Sequence, residues 1–195
     1  LKGAYGAYFV TFYWSHFSPE KEYEEARGMA KAAKDAGLKH VIWSTLEDTR
    51  KYIPLDDDRM PTLQGKYKNP HFDAKGAANQ FFIDLKVPVT FLMASAYWDN
   101  LITSGPRKGA DGKLYLTLPI DDKKVAGIAS EDIGKCAYRI FKKGKELIGR
   151  TIGVAGEHLT GKEMAEALSK ALGKEVLFNN VTPEVFRGLG FPGAE

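Results

Sequence analysis

The sequence predicts an α/β fold: part of a Rossmann-type, parallel, doubly wound sheet, followed by a smaller α+β lobe. Three observations lead there. Short apolar segments rich in β-branched and aromatic residues alternate with segments of helical period. The apolar segments carry hydrophobic residues at nearly every position, as strands buried on both faces do. The segments between them are long enough for the crossovers that parallel strands require.

Residues 7–13 (AYFVTFY) read as the first strand. Ser18 and Pro19 then supply a helix N-cap followed by proline at the first helical position. Ala26, Met29, Ala30 and Ala33 fall at i, i+3, i+4 and i+7, and Gly37 closes the helix. Residues 38–45 (LKHVIWST) are the second buried strand, which completes a strand–helix–strand unit. Residues 46–70 are polar and proline-bearing without a sustained period, and loops of this length in compact domains are usually functional. Asp73 is placed to cap the next helix, whose core stripe is Ala74, Ala78, Phe81, Phe82 and Leu85. Residues 87–95 (VPVTFLMAS) form the third strand, and AYWDNLI leads away from its carboxyl end. The order is half of a doubly wound sheet; in the arrangement 3-2-1-4-5-6 the strand at 7–13 takes fourth place and becomes an edge.

The remainder differs in texture. GKLYLTLP is a strand between glycine-rich turns, and SEDIGKCAYRIFKKG is a helix capped by Ser130 that buries Ile133, Ala137, Ile140 and Phe141. RTIGVAGE is a further strand, and Thr160 and Glu163 form a capping box that opens GKEMAEALSKALG. KEVLFNNV and a helix start at Thr182-Pro183 follow. The expected division is 1–104, half of a Rossmann-type doubly wound domain, and 105–195, a smaller α+β lobe.

Composition excludes several classes. The net charge of +3 on 195 residues is too small for the electrostatic footprint of a nucleic-acid binder, and RIFKKGKELIGR reads as a solvated helix face. The single cysteine, Cys136, rules out an internal disulfide, fits a reducing cytoplasmic compartment, and has the spacing of a buried thiol beside Ile133, Ile140 and Phe141. The four histidines, at 16, 40, 71 and 158, lack metal-ligand spacing, so no metal site is expected. No apolar run reaches the roughly 18 residues of a membrane span, and no signal peptide is visible. The chain opens in strand-like sequence without methionine and stops soon after a helical pattern, so an internal piece of a longer protein is expected.

Two phosphate-loop imitations fail on chemistry. GEHLTGKE has the glycine and Gly161-Lys162 spacing of a P-loop, but Glu163 stands where a magnesium-binding hydroxyl belongs and would repel phosphate. GAYG precedes the first strand instead of following it. In NPHFDAKGAANQFF, His71 stands four residues before Lys75. A helix beginning at Asp73 puts Lys75 in its first turn, near the carboxyl strand ends that carry Thr11, Ser44 and Thr45, where open α/β sheets bind ligands. The alternative is an ordinary solvated lysine.

The blocks AGLKHVIWSTLEDTRK, HFDAKGAANQFF, VPVTFLMASAYWDNL, EDIGK and GEHLTGKEMAEAL, in this order, closely resemble the NmrA-like family, atypical short-chain dehydrogenase/reductase relatives that bind NADP. The likeness covers essentially the whole chain, although the family's amino-terminal GxxGxxG unit and carboxyl-terminal end do not appear in it. The resemblance implies that residues 1–104 are the carboxyl-terminal half of an NAD(P)-binding domain and residues 105–195 a substrate or partner lobe. It implies NADP as cofactor, with NAD as the alternative. It implicates Thr11, Phe12 and Tyr13 in the loop bordering the cofactor; the family usually has asparagine at the position of Phe12, so a contact there falls to the backbone. It implies that Lys75 touches the nicotinamide ribose and that Tyr97, Trp98, Asp99 and Asn100 run past the nicotinamide. His71 occupies the place of the usual catalytic tyrosine and is the one candidate for proton transfer. The implied role is a redox sensor that reads NADP and engages a regulatory protein partner, without direct nucleic-acid or membrane contact; the alternative is an NAD(P)H-dependent reductase of a quinone or small carbonyl.

Overall fold

The Ser18 hydroxyl accepts the backbone N–H of Lys21, and Pro19 occupies the first helical position, so the first helix starts where its capping chemistry places it. The computed structural model describes residues 1–190, in the order β1 (Gly6–Phe9), α1 (Pro19–Asp35), β2 (His40–Thr45), α2 (Pro70–Asp84), β3 (Val89–Ala94), β4 (Ala96–Tyr97), α3 (Asn100–Ser104), β5 (Arg107–Lys108), β6 (Leu114–Leu118), β7 (Val125–Ile128), α4 (Ser130–Lys143), β8 (Thr151–Val154), β9 (Glu157–Leu159), α5 (Gly161–Leu172), β10 (Val176–Asn180) and α6 (Pro183–Gly188). The chain divides into two compact units: residues 1–94 with 133–154, and residues 95–132 with those from 155 on.

The first unit is the parallel sheet β1-β2-β3-β8, with Phe9 opposite Trp43, Thr45 opposite Met93 and Leu92 opposite Ile152. All six residues of β2 are buried, the apolar Val41-Ile42-Trp43 run together with the polar residues that flank it. One sheet face presents Val41, Trp43, Val89 and Phe91 to Ala26, Ala30 and Ala33 of α1 and to Ala78 and Phe82 of α2. The small alanine stripe lets helix backbones come close, while Trp43 and Phe82 stack with ring centroids 5.1 Å apart. Both rings are fully buried, and burial of such side chains contributes about 2–3 kcal/mol each.

On the opposite face His40 is a structural residue. Thr90 Oγ1 donates to the Leu147 carbonyl, so it accepts from His40 Nε2–H at 2.8 Å, and the ring meets Phe141 edge-on at 5.2 Å. Burial holds the His40 pKa below its ordinary value.

The second unit holds two three-stranded sheets, β10-β6-β5 and β4-β7-β9. Leu116 and Val176 of the first sheet pack on Met164 and Ala165 of α5. The capping box is present with both arms: Thr160 accepts the Glu163 N–H, and Glu163 accepts the Thr160 N–H at 2.7 Å. A Cβ at Gly161 would collide with the Phe178 ring, so this glycine is dictated by helix–sheet contact and not by a phosphate.

Four expectations are corrected. The first strand ends at Phe9, not at residue 13, because Tyr13–Ser15 turn as a 3₁₀ segment that buries the Tyr13 ring. The second helix is capped by Asn69 with Pro70 behind it, not by Asp73, so Lys75 lies beyond the first turn. The strand within RTIGVAGE belongs to the first unit: β8 pairs in parallel with β3, and residues 133–154 return to that unit, so the division does not fall at 104–105. Cys136 is only partly buried.

The long connection between β2 and α2 carries an interior of its own. Lys68 is fully buried and donates through Nζ to the carbonyls of Asp57 and Met60, each at 2.7 Å. Asp73, also fully buried, accepts from the Thr49 N–H and hydroxyl and from the N–H groups of Lys68 and Asn69. A polar loop is thereby fixed through its hydrogen bonds, with these backbone donors satisfied by one buried carboxylate.

Candidate functional site

Beyond the carboxyl end of β1 the chain reaches Thr11, which is buried. The end of β2 supplies the Ser44 carbonyl, α2 supplies Lys75, and the first turn of α1 supplies Glu22. These groups converge. Thr11 Oγ1 donates to Glu22 Oε1. The same carboxylate oxygen lies 3.8 Å from Lys75 Nζ, which also donates to the Ser44 carbonyl at 3.2 Å and sits 5.4 Å from the centre of the Trp43 ring. The Lys75 side chain is 6% exposed and that of Glu22 is 0% exposed, so the solvated-lysine alternative is excluded.

Burial is the largest influence on both charges. It pushes the Lys75 pKa down against the attraction of Glu22, and pushes the Glu22 pKa up against the Thr11 hydrogen bond and the Lys75 charge. The remaining Glu22 oxygen, Oε2, has no hydrogen-bond partner and lies 3.6 Å from His16 Nε2. His16 Nδ1 accepts the Ser18 N–H at 3.1 Å, so the neutral ring carries its proton on Nε2.

His16, Glu22 and Glu25 bring one ligand atom each within 4.8 Å of one another, a spacing a metal ion could use. The tautomer argues for a different use. The nitrogen that would have to coordinate is the protonated one, and Lys75 already supplies a positive charge to the Glu22 carboxylate.

His71 lies beside this cluster within an aromatic group. Its ring stacks on Tyr13 at 4.9 Å with 23° between the planes, and meets Trp14 and Phe72 edge-on. Burial, with a smaller contribution from the Lys75 charge, pushes its pKa down to about 4. At neutral pH the imidazole is therefore unprotonated and poorly suited to give up a proton. Phe12, Trp14 and Phe17 present exposed rings around the same turn, and Phe17 takes a left-handed backbone (φ 54°) that a bulky residue rarely adopts.

Thr11, Tyr13, His71 and Lys75 thus share one neighbourhood of the first unit, while the Phe12 side chain projects to solvent. Tyr97, Trp98, Asp99 and Asn100 belong to the second unit. There Trp98 covers Gly127, whose missing side chain makes room for the indole, and both Asp99 carboxylate oxygens accept from Ser130, at 2.8 and 2.7 Å. Trp98 and Asp99 consequently have structural work of their own. Asn100 opens α3, and Tyr97 pairs opposite Ile128, with a phenol pKa raised by burial.

Sequence reasoning missed Glu22, although a signal was present. Glu22 stands four residues before Ala26 and eight before Ala30, on the apolar stripe of α1. A carboxylate on a core-facing stripe demands a buried partner.

Comparison with known proteins adds a family. The model of the NmrA-like family matches residues 1–195. An NmrA-like family domain-containing protein of Dictyostelium discoideum is 27% identical over 192 residues, covering 94% of this chain and 60% of its own length. The NAD(P)H azoreductase of Xenophilus azovorans is 28% identical over 167 residues, covering 83% of this chain and 52% of its own length. Among solved structures, the negative transcriptional regulator NmrA superposes with a TM-score of 0.76 at 26% identity, covering 93% of this chain and 54% of that one; it has been determined in complex with NADP and with NAD. The chain therefore spans little more than half the length of each of these three proteins.

Proposed function

The chain belongs to the NmrA-like family, and from that premise we propose that it holds the nicotinamide-ribose end of NADP(H) within a redox-responsive regulatory protein. The observation that carries this reading is the buried Lys75 ammonium beside Thr11, at the carboxyl ends of parallel strands where α/β sheets take their ligands. The donor set fits a ribose. A carboxylate already pairs with the ammonium, which leaves a site that favours neutral hydroxyl groups over phosphate oxygens. In this reading Lys75 donates to ribose hydroxyls and Thr11 fixes the carboxylate behind it. The nicotinamide, when bound, supplies hydride chemistry.

A sensor is favoured over a reductase by His71. Its ring is stacked, buried and unprotonated at neutral pH, so the position that would carry a general acid lacks a ready proton. The alternative, reduction of a quinone, small carbonyl or azo acceptor, is supported by the kinship with an azoreductase. Calorimetric titration of the full-length protein with NADP and NADPH, paired with NADPH oxidation over a panel of quinones, carbonyls and azo compounds, separates the two. Saturable binding without acceptor-dependent oxidation is expected. Rapid acceptor-dependent turnover would overturn the sensor, and no binding of either nucleotide would overturn both.

A further inference from the structure

Lys75 reaches its place only because something opposes its charge in the core. Of the groups around it, the Ser44 carbonyl and the Trp43 ring offer partial charges, and His71 is neutral at pH 7. Among the described residues Glu22 is the one formal counter-charge within 4 Å of Nζ. Its carboxylate is held from three sides: Thr11 donates to Oε1, His16 Nε2–H faces Oε2 at 3.6 Å, and its backbone is anchored in the first turn of a capped helix. Glu25, 3.9 Å from the same His16 nitrogen, is the only other carboxylate in the cluster among the described residues.

We infer that Glu22 is the positioning residue of the Lys75 clamp: it fixes the ammonium at the strand ends and makes the clamp specific for neutral hydroxyl groups. The inference rests on the proposed nucleotide site for its biological use, but the Glu22–Lys75 linkage itself stands on geometry alone. A lone buried ammonium would both attract phosphate and tend to shed its proton. A buried ammonium with a carboxylate 3.8 Å behind it retains its proton and is attractive chiefly to a hydroxyl. The polar and titratable groups that surround this pair are His16 and Glu25 from α1 and its preceding turn, Thr11 after β1, and His71 on the same helix as Lys75.

The test reads Lys75 directly, without nucleotide. Competitive amine labelling across pH 6–11, followed by mass spectrometry, gives the Lys75 titration in the full-length protein and in its Glu22→Gln variant, which preserves shape and removes charge. The expected result is a Lys75 midpoint lower in the variant by about one pH unit or more. A parallel NADP titration in the variant should match wild type at the acid end and fall off about one pH unit earlier on the alkaline side. A merely structural role would weaken binding equally at every pH. Identical Lys75 labelling profiles in wild type and variant would overturn the inference. A shifted profile in a protein that binds no NADP(H) would uphold the linkage while removing the nucleotide reading. Should Glu22→Gln not fold, the Glu22→Met/Lys75→Met pair decides by thermal melting. Recovery of stability over either single variant supports a direct link, and additive losses refute it.

Discussion

The His71 ring lies face to face with Tyr13, 4.9 Å between centroids, and burial there, with a smaller contribution from the Lys75 charge, makes the histidine an unusually weak base. A ring enclosed by aromatic neighbours on one side and by the Lys75 ammonium on another loses hydration and gains repulsion when it takes a proton.

The sign of the resulting pH dependence follows from linkage. The folded-state pKa, about 4, lies below the ordinary value of 6.5, so the unfolded chain binds more protons between these limits. Stability from His71 is present above pH 6.5 and is lost as pH falls toward 4. Discounted for partial solvent access, the loss is about 1–3 kcal/mol. His71→Phe should flatten this part of the melting-temperature profile between pH 6.5 and 4, as measured by circular dichroism; an unchanged slope would show that the ring does not titrate as described.

Lys75→Met keeps the packing of the stem and removes the charge. In the full-length protein it should weaken NADP binding by about 1–3 kcal/mol, the scale of a charge-assisted hydrogen bond, while His71→Phe leaves affinity nearly unchanged. Isothermal titration of both variants checks the contrast. Equal affinities for wild type and Lys75→Met would remove the clamp.

Much of this arrangement was legible from residue order, and the exceptions share a cause. The alanine stripe of α1, the Val41-Ile42-Trp43 run of β2 and the Thr160–Glu163 box are local signals, and each forms where its chemistry points. The start of α2 was misplaced because Asn69-Pro70 and Asp73 both offer caps, and only the tertiary pull of Thr49 and Lys68 on the Asp73 carboxylate decides between them. The sequence alone does not place β8 in the first unit, because pairing partners separated by some sixty residues leave no periodic trace. Thr11 and Lys75 were found, but the carboxylate joining them was hidden among the other acidic residues of PEKEYEEA.

Trp43→Ala should destabilise the first unit by about 3–5 kcal/mol, since the ring is fully buried between Phe82 and the sheet and Lys75 borders it. Urea denaturation measures the change. A loss below about 1 kcal/mol would mean that the helices close over the void.

Asp73→Ala strands the N–H groups of Thr49, Lys68 and Asn69 and should cost about 2–4 kcal/mol. Hydrogen exchange resolves the effect. Amides of residues 49–69 should lose protection well before those of β2 and β3, and uniform loss across the unit would contradict a local role.

Among the described residues β1 pairs only with β2, so one side of this strand is a sheet edge. The 195-residue chain expressed alone should self-associate with rising concentration, and Val10→Lys, at an exposed position beside β1, should suppress it. Light scattering after size exclusion would read both. A monodisperse chain at all concentrations would show that the edge is protected.

Lys68 gives the long loop a property that loops built around free ions lack. Two carbonyl oxygens converge on its Nζ as they would on a bound cation, but this cation is tethered to the chain it organises. Its effective concentration at the site is set by four methylenes and not by the surrounding solution, so dialysis or a chelator cannot remove it. Shortening the side chain would therefore create a vacancy with the size and charge preference of an ammonium ion, one that added ammonium or a small alkylamine could refill.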